Sequence, residues 1–263
     1  LKCVSPLNAG GQRVPCGKCI SCRVNRGQEW SRRLEHELGF HASAIFLTLT
    51  YDGAHLPQTD SLDARHLQLF FKRLRFDLGK RRFRYYSVGE YGEKYNRPHY
   101  HGIFYGLSPL DREIIEGAWG MGRVHIGSVT TESINYVTKY VNKVLSGPLA
   151  REVYGDRKAP FSRMSKGLGL SWLKSNWDFV LQNGGLRVRG KPVRLPRYYL
   201  KKIGSDFPDE LKNALTLLRS SMLDQGPLDD EESVHLWERD KESRDQVRLD
   251  LEALARNSTS GKL

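Results

Sequence analysis

The chain has no run approaching the roughly 18 apolar residues that a bilayer-spanning helix needs, so a membrane-spanning reading is excluded. Residues 1–20 carry Gly, Gln, Arg and cysteine rather than an apolar stretch, so no secretory signal is expected there. The first residue is Leu1, which reads as a removed or replaced initiator Met or as a missing start. No GxxxxGK[ST] sequence occurs, so phosphate-cradling nucleotide chemistry is not expected, and no internal repeat is found. Cysteine is scarce and oddly placed. All four, Cys3, Cys16, Cys19 and Cys22, fall within the first 22 of 263 residues.

What is abundant is positive charge. The formal net charge is +12, and it is unevenly spread: residues 1–200 hold 32 Lys+Arg against 16 Asp+Glu, whereas residues 201–263 hold 10 against 14. A polyanion, with nucleic acid the natural candidate, suits the first part, and the remainder is an acidic appendage. With 39% hydrophobic and 27% charged residues, the composition is that of a soluble globular chain.

Periodicity predicts helices over 20–38, 61–78 and 131–145, a shorter one over 111–119, and strands over 44–51, 83–91, 98–105 and 123–129. Residues 146–185 read as mostly irregular with a short helix near 170–179, and 186–195 as a hairpin. Charged helices are expected over 209–222 and 232–256, and disorder in the last seven residues. The order of elements implies an α+β fold, a central antiparallel sheet with helices packed on one side of it, plus a helical C-terminal extension. The chain divides into a Cys-rich segment and helix (1–43), a main domain (44–200) and the acidic extension (201–263).

His99 and His101 stand two apart on a strand, so both leave the same face. If the hairpin closes symmetrically over 92–97, Glu90 opposes His99 with Cβ atoms about 5 Å apart. Two imidazoles and a carboxylate with open positions suit a catalytic divalent ion. Two hydrogen-bonded histidines beside a loop-capping Glu90 would give the same spacing. In Tyr136-Val-Thr-Lys-Tyr-Val-Asn-Lys143, about 100° per residue puts Tyr136, Lys139, Tyr140 and Lys143 on one stripe, apart from Ile134, Val137 and Val141. A phenol with pKa about 10 is a poor nucleophile, but nearby cations favour its anion. The alternative is a pair of tyrosines at the edge of the core.

The cysteine cluster could form a tetrahedral structural Zn²⁺ site, remain as free thiols, or hold an iron–sulfur cluster, while a disulfide is less expected without a secretory signal. Lys72, Arg73, Arg75, Lys80, Arg81, Arg82 and Arg84, interleaved with Phe83, Tyr85 and Tyr86, suit a track for single-stranded DNA; they equally suit a solvated helix face over core aromatics.

Three blocks in this order, Phe46-Leu-Thr-Leu-Thr-Tyr51, Val88-Gly-Glu-Tyr-Gly92 with Arg97-Pro-His-Tyr-His-Gly-Ile-Phe-Tyr105, and residues 136–143, resemble the HUH superfamily of single-strand DNA endonucleases. They are most similar to the rolling-circle replication initiators of microviruses, especially the gokushovirus-like branch. Pro15-Cys-Gly-Lys-Cys-Ile-Ser-Cys22 and Pro196-Arg-Tyr-Tyr199 extend the resemblance over about residues 1–200, with Arg97 a further DNA-contacting candidate beside the histidines.

The resemblance implies Mg²⁺ or Mn²⁺ on His99, His101 and Glu90. Tyr136 and Tyr140 would nick and later rejoin a single-stranded viral origin through a 5′-phosphotyrosine, with Lys139 and Lys143 steadying the phosphate. A host polymerase and helicase in the bacterial cytoplasm would be the partners. A non-catalytic nucleic-acid-binding protein and another HUH enzyme, a relaxase or transposase, are the alternatives.

Overall fold

The computed structural model describes residues 3–92, 95–143, 148–182, 185–188, 191–193, 195–206 and 213. The helices expected over 209–222 and 232–256 lie outside the described residues. A small hairpin, β1 (Leu7–Ala9) and β2 (Gln12–Val14), precedes α1 (Ile20–Leu38). Then come β3 (Ala44–Thr50), α2 (Ala64–Asp77), β4 (Arg84–Tyr91), β5 (Pro98–Tyr105), a 3-10 turn (Pro109–Asp111), α3 (Arg112–Trp119), β6 (Val124–Ser128) and α4 (Thr131–Lys143). They are followed by α5 (Pro148–Tyr154), β7 (Phe161–Met164), α6 (Leu170–Ser175), α7 (Trp177–Gln182), β8 (Leu186–Val188), β9 (Lys191–Val193) and α8 (Arg197–Asp206).

Five strands form one antiparallel sheet in the order β6-β3-β5-β4-β7. Because side chains alternate along a strand, each strand feeds two layers. Ile45, Leu47 and Leu49 of β3 and Tyr100 and Phe104 of β5 share one face. They pack with Leu67, Phe70, Phe71 and Leu74 of α2 and with Ile115, Ala118 and Trp119 of α3. On the opposite face Tyr86, Val88, Ile103 and Tyr105 pack with Leu34 of α1 and with Ile134, Val137 and Tyr140 of α4.

Helices thus cover both faces, which corrects the expectation that they lie on one side. The reason is legible in β4 and β5, whose residues are buried in continuous runs rather than alternately, the pattern of a strand with cover above and below. A third core of Leu173, Val180, Leu186, Leu195, Tyr199 and Ile203 lies beside α1, where the His36 ring stacks on Trp172.

The β4–β5 register pairs Glu90 with His99 and Val88 with His101, as symmetric closure of the hairpin requires. Gly102 has to be glycine, since a Cβ there would stand 2.8 Å from both the Tyr86 carbonyl oxygen and the Phe104 ring. The second helix begins three residues later than its apolar periodicity suggests. Asp63 caps it by accepting from the Arg65 N–H at 2.7 Å, and Leu62 and Asp63 ahead of it donate their N–H groups to Tyr91 and Tyr100 hydroxyls.

Residues 148–182 are more regular than expected. They hold α5, the edge strand β7, and two short helices in place of one, interrupted at Asn176. β7 has four residues, too short to show alternation, and takes its shape from pairing with β4.

Candidate metal centre

β5 presents His99 and His101, and β4 presents Glu90, on the face covered by α1 and α4. Thr48 and Thr50 of β3 pair with His101 and His99 respectively, so their side chains share that face. Above them, α4 starts at a reciprocal cap in which the Ser133 N–H donates to Thr130 Oγ1 at 3.2 Å and the Thr130 N–H to Ser133 Oγ at 2.8 Å. Ile134 and Val137 anchor the helix in the core, and the adjacent stripe carries Tyr136 toward the histidines.

Glu90 Oε1 lies 2.9 Å from His99 Nε2 and 3.1 Å from His101 Nε2. The Tyr136 hydroxyl is 3.4 Å from the same Glu90 oxygen and 3.3 Å from His101 Nε2. The Tyr136 and Tyr140 rings meet edge to face at 5.1 Å, and Tyr140 lies parallel to His101 at 6.2 Å. Glu90 and His101 are buried, at 4% and 7% exposure, whereas Tyr136 is 39% exposed.

His99 Nδ1 stands 3.0 Å from the Arg97 carbonyl oxygen, which can only accept, so this nitrogen carries a proton. His101 Nδ1 meets Thr48 Oγ1 at 2.8 Å. With both Nδ1 atoms so engaged, both Nε2 atoms turn toward Glu90, the outer-shell arrangement that fixes ligating histidines. Burial raises the Glu90 carboxyl, but hydrogen bonds from His101 and His99 outweigh it and hold the group below its usual range. Burial lowers His99, and the Glu90 bond overrides it and raises the imidazole; for His101 burial prevails and the imidazole is held below its usual value.

The three ligand atoms lie within 4.8 Å of one another. Adjacent ligands of an octahedral ion at about 2.1 Å are about 3 Å apart, so the Glu90–His99 and Glu90–His101 spacings fit neighbouring coordination positions. A second group of potential ligands, Cys3, Cys16, Cys19 and Cys22, converges separately at the N-terminal side of α1.

The other candidate residues are distributed differently. Lys139 is exposed on α4, and of Lys143 only the backbone is described. Lys72, Arg73 and Arg75 ride on α2, across the sheet from the histidines. Arg73 donates to the Ala118 and Trp119 carbonyls, and Arg75 donates to the Phe71 carbonyl and lies over Phe83. Arg81 forks onto Asp111, and Arg84 donates to fully buried Glu37. Arg97 donates to the Tyr51 carbonyl. Lys72, Lys80 and Arg82 are exposed. Thr48 was absent from the sequence-level site, although its position in Thr48-Leu-Thr50 places it on one face of a strand, and only the pairing of β3 with β5 shows which face.

Among the described residues, no helix is long and apolar enough to cross a membrane. The family model for a replication-associated protein of the ORF2 type matches residues 44–145, the stretch from β3 through α4. The replication-associated protein VP4 of Bdellovibrio phage phiMH2K is 31% identical over 225 residues, 74% of this chain and 69% of that protein. The replication-associated protein ORF2 of Spiroplasma virus 4 is 29% identical over 226 residues, 75% of this chain and 69% of that protein. The replication-associated protein ORF4 of Chlamydia phage 1 is 30% identical over 233 residues, 77% of this chain and 58% of that protein. No solved structure matches. With the phage proteins aligned over three quarters of its length and the His/His/Glu group inside the matched domain, the chain belongs to the family of phage replication-associated proteins.

Proposed function

We propose that this protein initiates rolling-circle replication of a single-stranded DNA virus of the microvirus kind, nicking and rejoining its origin through tyrosine. The observation that carries the reading is the Tyr136 hydroxyl at 3.3 Å from His101 Nε2 and 3.4 Å from Glu90, a phenol at the edge of a metal-ligand set. A divalent cation on His99, His101 and Glu90, Mg²⁺ or Mn²⁺, supplies Lewis-acid polarisation of the scissile phosphate. His101 and Glu90 receive the Tyr136 proton, and the phenolate oxygen attacks phosphorus in line with the departing 3′ oxygen. The P–O3′ bond breaks, the 3′ hydroxyl leaves with a proton, and the 5′ phosphate stays on Tyr136.

Tyr140, one helical turn on and largely buried, is reserved for the second transfer, which releases Tyr136 and circularises the displaced strand. Phosphodiester energy is conserved throughout, so no ATP is needed. Lys139, on the exposed side of the same helix, steadies the phosphate, and Lys143 is assigned the same role. A host polymerase extends the free 3′ end behind a host helicase in the bacterial cytoplasm. The names of the phage relatives, all replication-associated proteins, support this reading.

The test is incubation with labelled single-stranded origin DNA and Mn²⁺, followed by mass spectrometry of the linked peptide. A covalent adduct on the peptide spanning 131–143, absent when His99 and His101 are both changed to Ala, is the expected result. A DNA complex that never becomes covalent would leave a binding protein in place of the enzyme.

A further inference from the structure

The four cysteines play no part in cleavage, yet they hold together a region that lacks other means of staying folded. No described residue from Cys3 to Lys18 is buried, and β1 and β2 pair only with each other. Apolar burial therefore cannot order this segment. What the segment does contribute is sulfur: Cys3 before the hairpin, Cys16 and Cys19 around a tight turn, and Cys22 in the first turn of α1 converge so that all four Sγ atoms lie within 4.8 Å.

Cys3 and Cys19 sulfurs are 3.8 Å apart, and those of Cys16 and Cys22 are 4.0 Å apart. A tetrahedral zinc with Zn–S bonds of about 2.3 Å separates its sulfurs by about 3.8 Å. A multi-iron cluster distributes its cysteines over different irons and spreads them further than one ion does. The backbone is arranged for thiolate as well. The Cys16 N–H donates to Cys3 Sγ at 3.2 Å, and the Lys18 and Cys19 N–H groups both donate to Cys16 Sγ at 3.4 Å. That turn is possible because Gly17 adopts φ +74°, a left-handed conformation that glycine takes at little cost. Cys19 is the N-cap of α1 with no side-chain cap bond, which leaves its sulfur at the positive end of the helix.

We propose that Cys3, Cys16, Cys19 and Cys22 bind one zinc ion, and that this site seats the N-terminal half of α1 beneath the tyrosine-bearing α4. Binding takes four thiolates and releases their protons to solvent. The link to α4 is direct. Ser31 Oγ on α1 donates to Asn135 Oδ1 at 2.9 Å and shares a hydrogen bond with Thr138 Oγ1 at 2.8 Å, while Leu34 packs against Ile134, Val137 and Tyr140.

The experiment uses the full chain purified without chelator. Elemental analysis is expected to give one zinc per chain, and titration with a mercurial to release it completely as four thiols react. Iron in its place, or four thiols that react at once with no metal released, overturns the site. Hydrogen exchange before and after zinc removal tests the second half. Protection should be lost over residues 3–27 and over α4 and kept in β3 and β5; unchanged α4 overturns the coupling. A Cys16→Ser chain should hold less zinc, and if it fails to fold, the two measurements on the unaltered chain still decide. None of these readouts involves DNA cleavage, so their failure leaves the nuclease reading untouched.

Discussion

The two faces of the sheet are built from the same strands and do opposite things. Toward α2 and α3, alternate residues are apolar and fully buried, and the arginines around them are tied to carbonyls and carboxylates. Toward α1 and α4, the intervening positions become Thr48, Thr50, His99, His101 and Glu90 where the sheet emerges from under the helices, next to a half-exposed Tyr136. A strand pair can therefore keep its stability on one side and its reactive groups on the other, because neighbouring residues point apart. Changes on one face should barely register on the other.

Tyr136→Phe is the sharpest way to break that division. Loss of the DNA adduct by on the order of 10³-fold or more is expected, as for other deleted nucleophiles. Stability to thermal unfolding should change by less than about 1 kcal/mol, since the side chain is partly exposed. Phe70→Ala should do the reverse, costing about 3–5 kcal/mol in a denaturant titration while adduct formation by the remaining folded protein persists.

On the α1 side, burial, with Arg32 nearby, lowers the His36 imidazole to about 4, and its ring is held by Trp172 and the Tyr199 hydroxyl. The unfolded chain takes up this proton near pH 6.5 and the folded chain does not. Stability is therefore full above that pH and falls, by at most about 3 kcal/mol, as pH drops toward 4. His36→Gln should flatten the stability profile over that window.

Thr48→Val removes the hydroxyl at His101 Nδ1 and should weaken Mn²⁺ binding by about 10- to 100-fold in calorimetry, with Thr48→Ser restoring it. The smallest effect belongs to the far side. Hydrogen bonds from Arg81 hold the Asp111 carboxyl below its usual range, so the pair stabilises above about pH 4 and is lost as pH falls through the folded value. Arg81 is half exposed, and Asp111→Asn should cost no more than about 1 kcal/mol at pH 7.

Legibility followed the range of the interactions. The hairpin carrying Glu90, His99 and His101 needs only period two and a symmetric turn, and its register is the one the sequence implies. The stripe bearing Tyr136 and Tyr140 needs only period 3.6. The basic track was misleading for the same reason: charge density along the chain cannot reveal that Arg84 reaches Glu37, 47 residues away, or that Arg73 reaches the end of α3, 45 residues away. β7 and the role of Thr48 were hidden because both are defined by a neighbouring strand.

Local order, then, was written in the chain itself: where strands and helices run, which residues share a face, and that two imidazoles, a carboxylate and two phenols each sit on a coherent stripe. That α4 lies over β5 and brings the Tyr136 oxygen to the histidines, that helices cover both faces, and that four cysteines close on a common centre were decided only by tertiary packing. Such contacts depend on which apolar surfaces find each other across the fold, and no local periodicity encodes that distance.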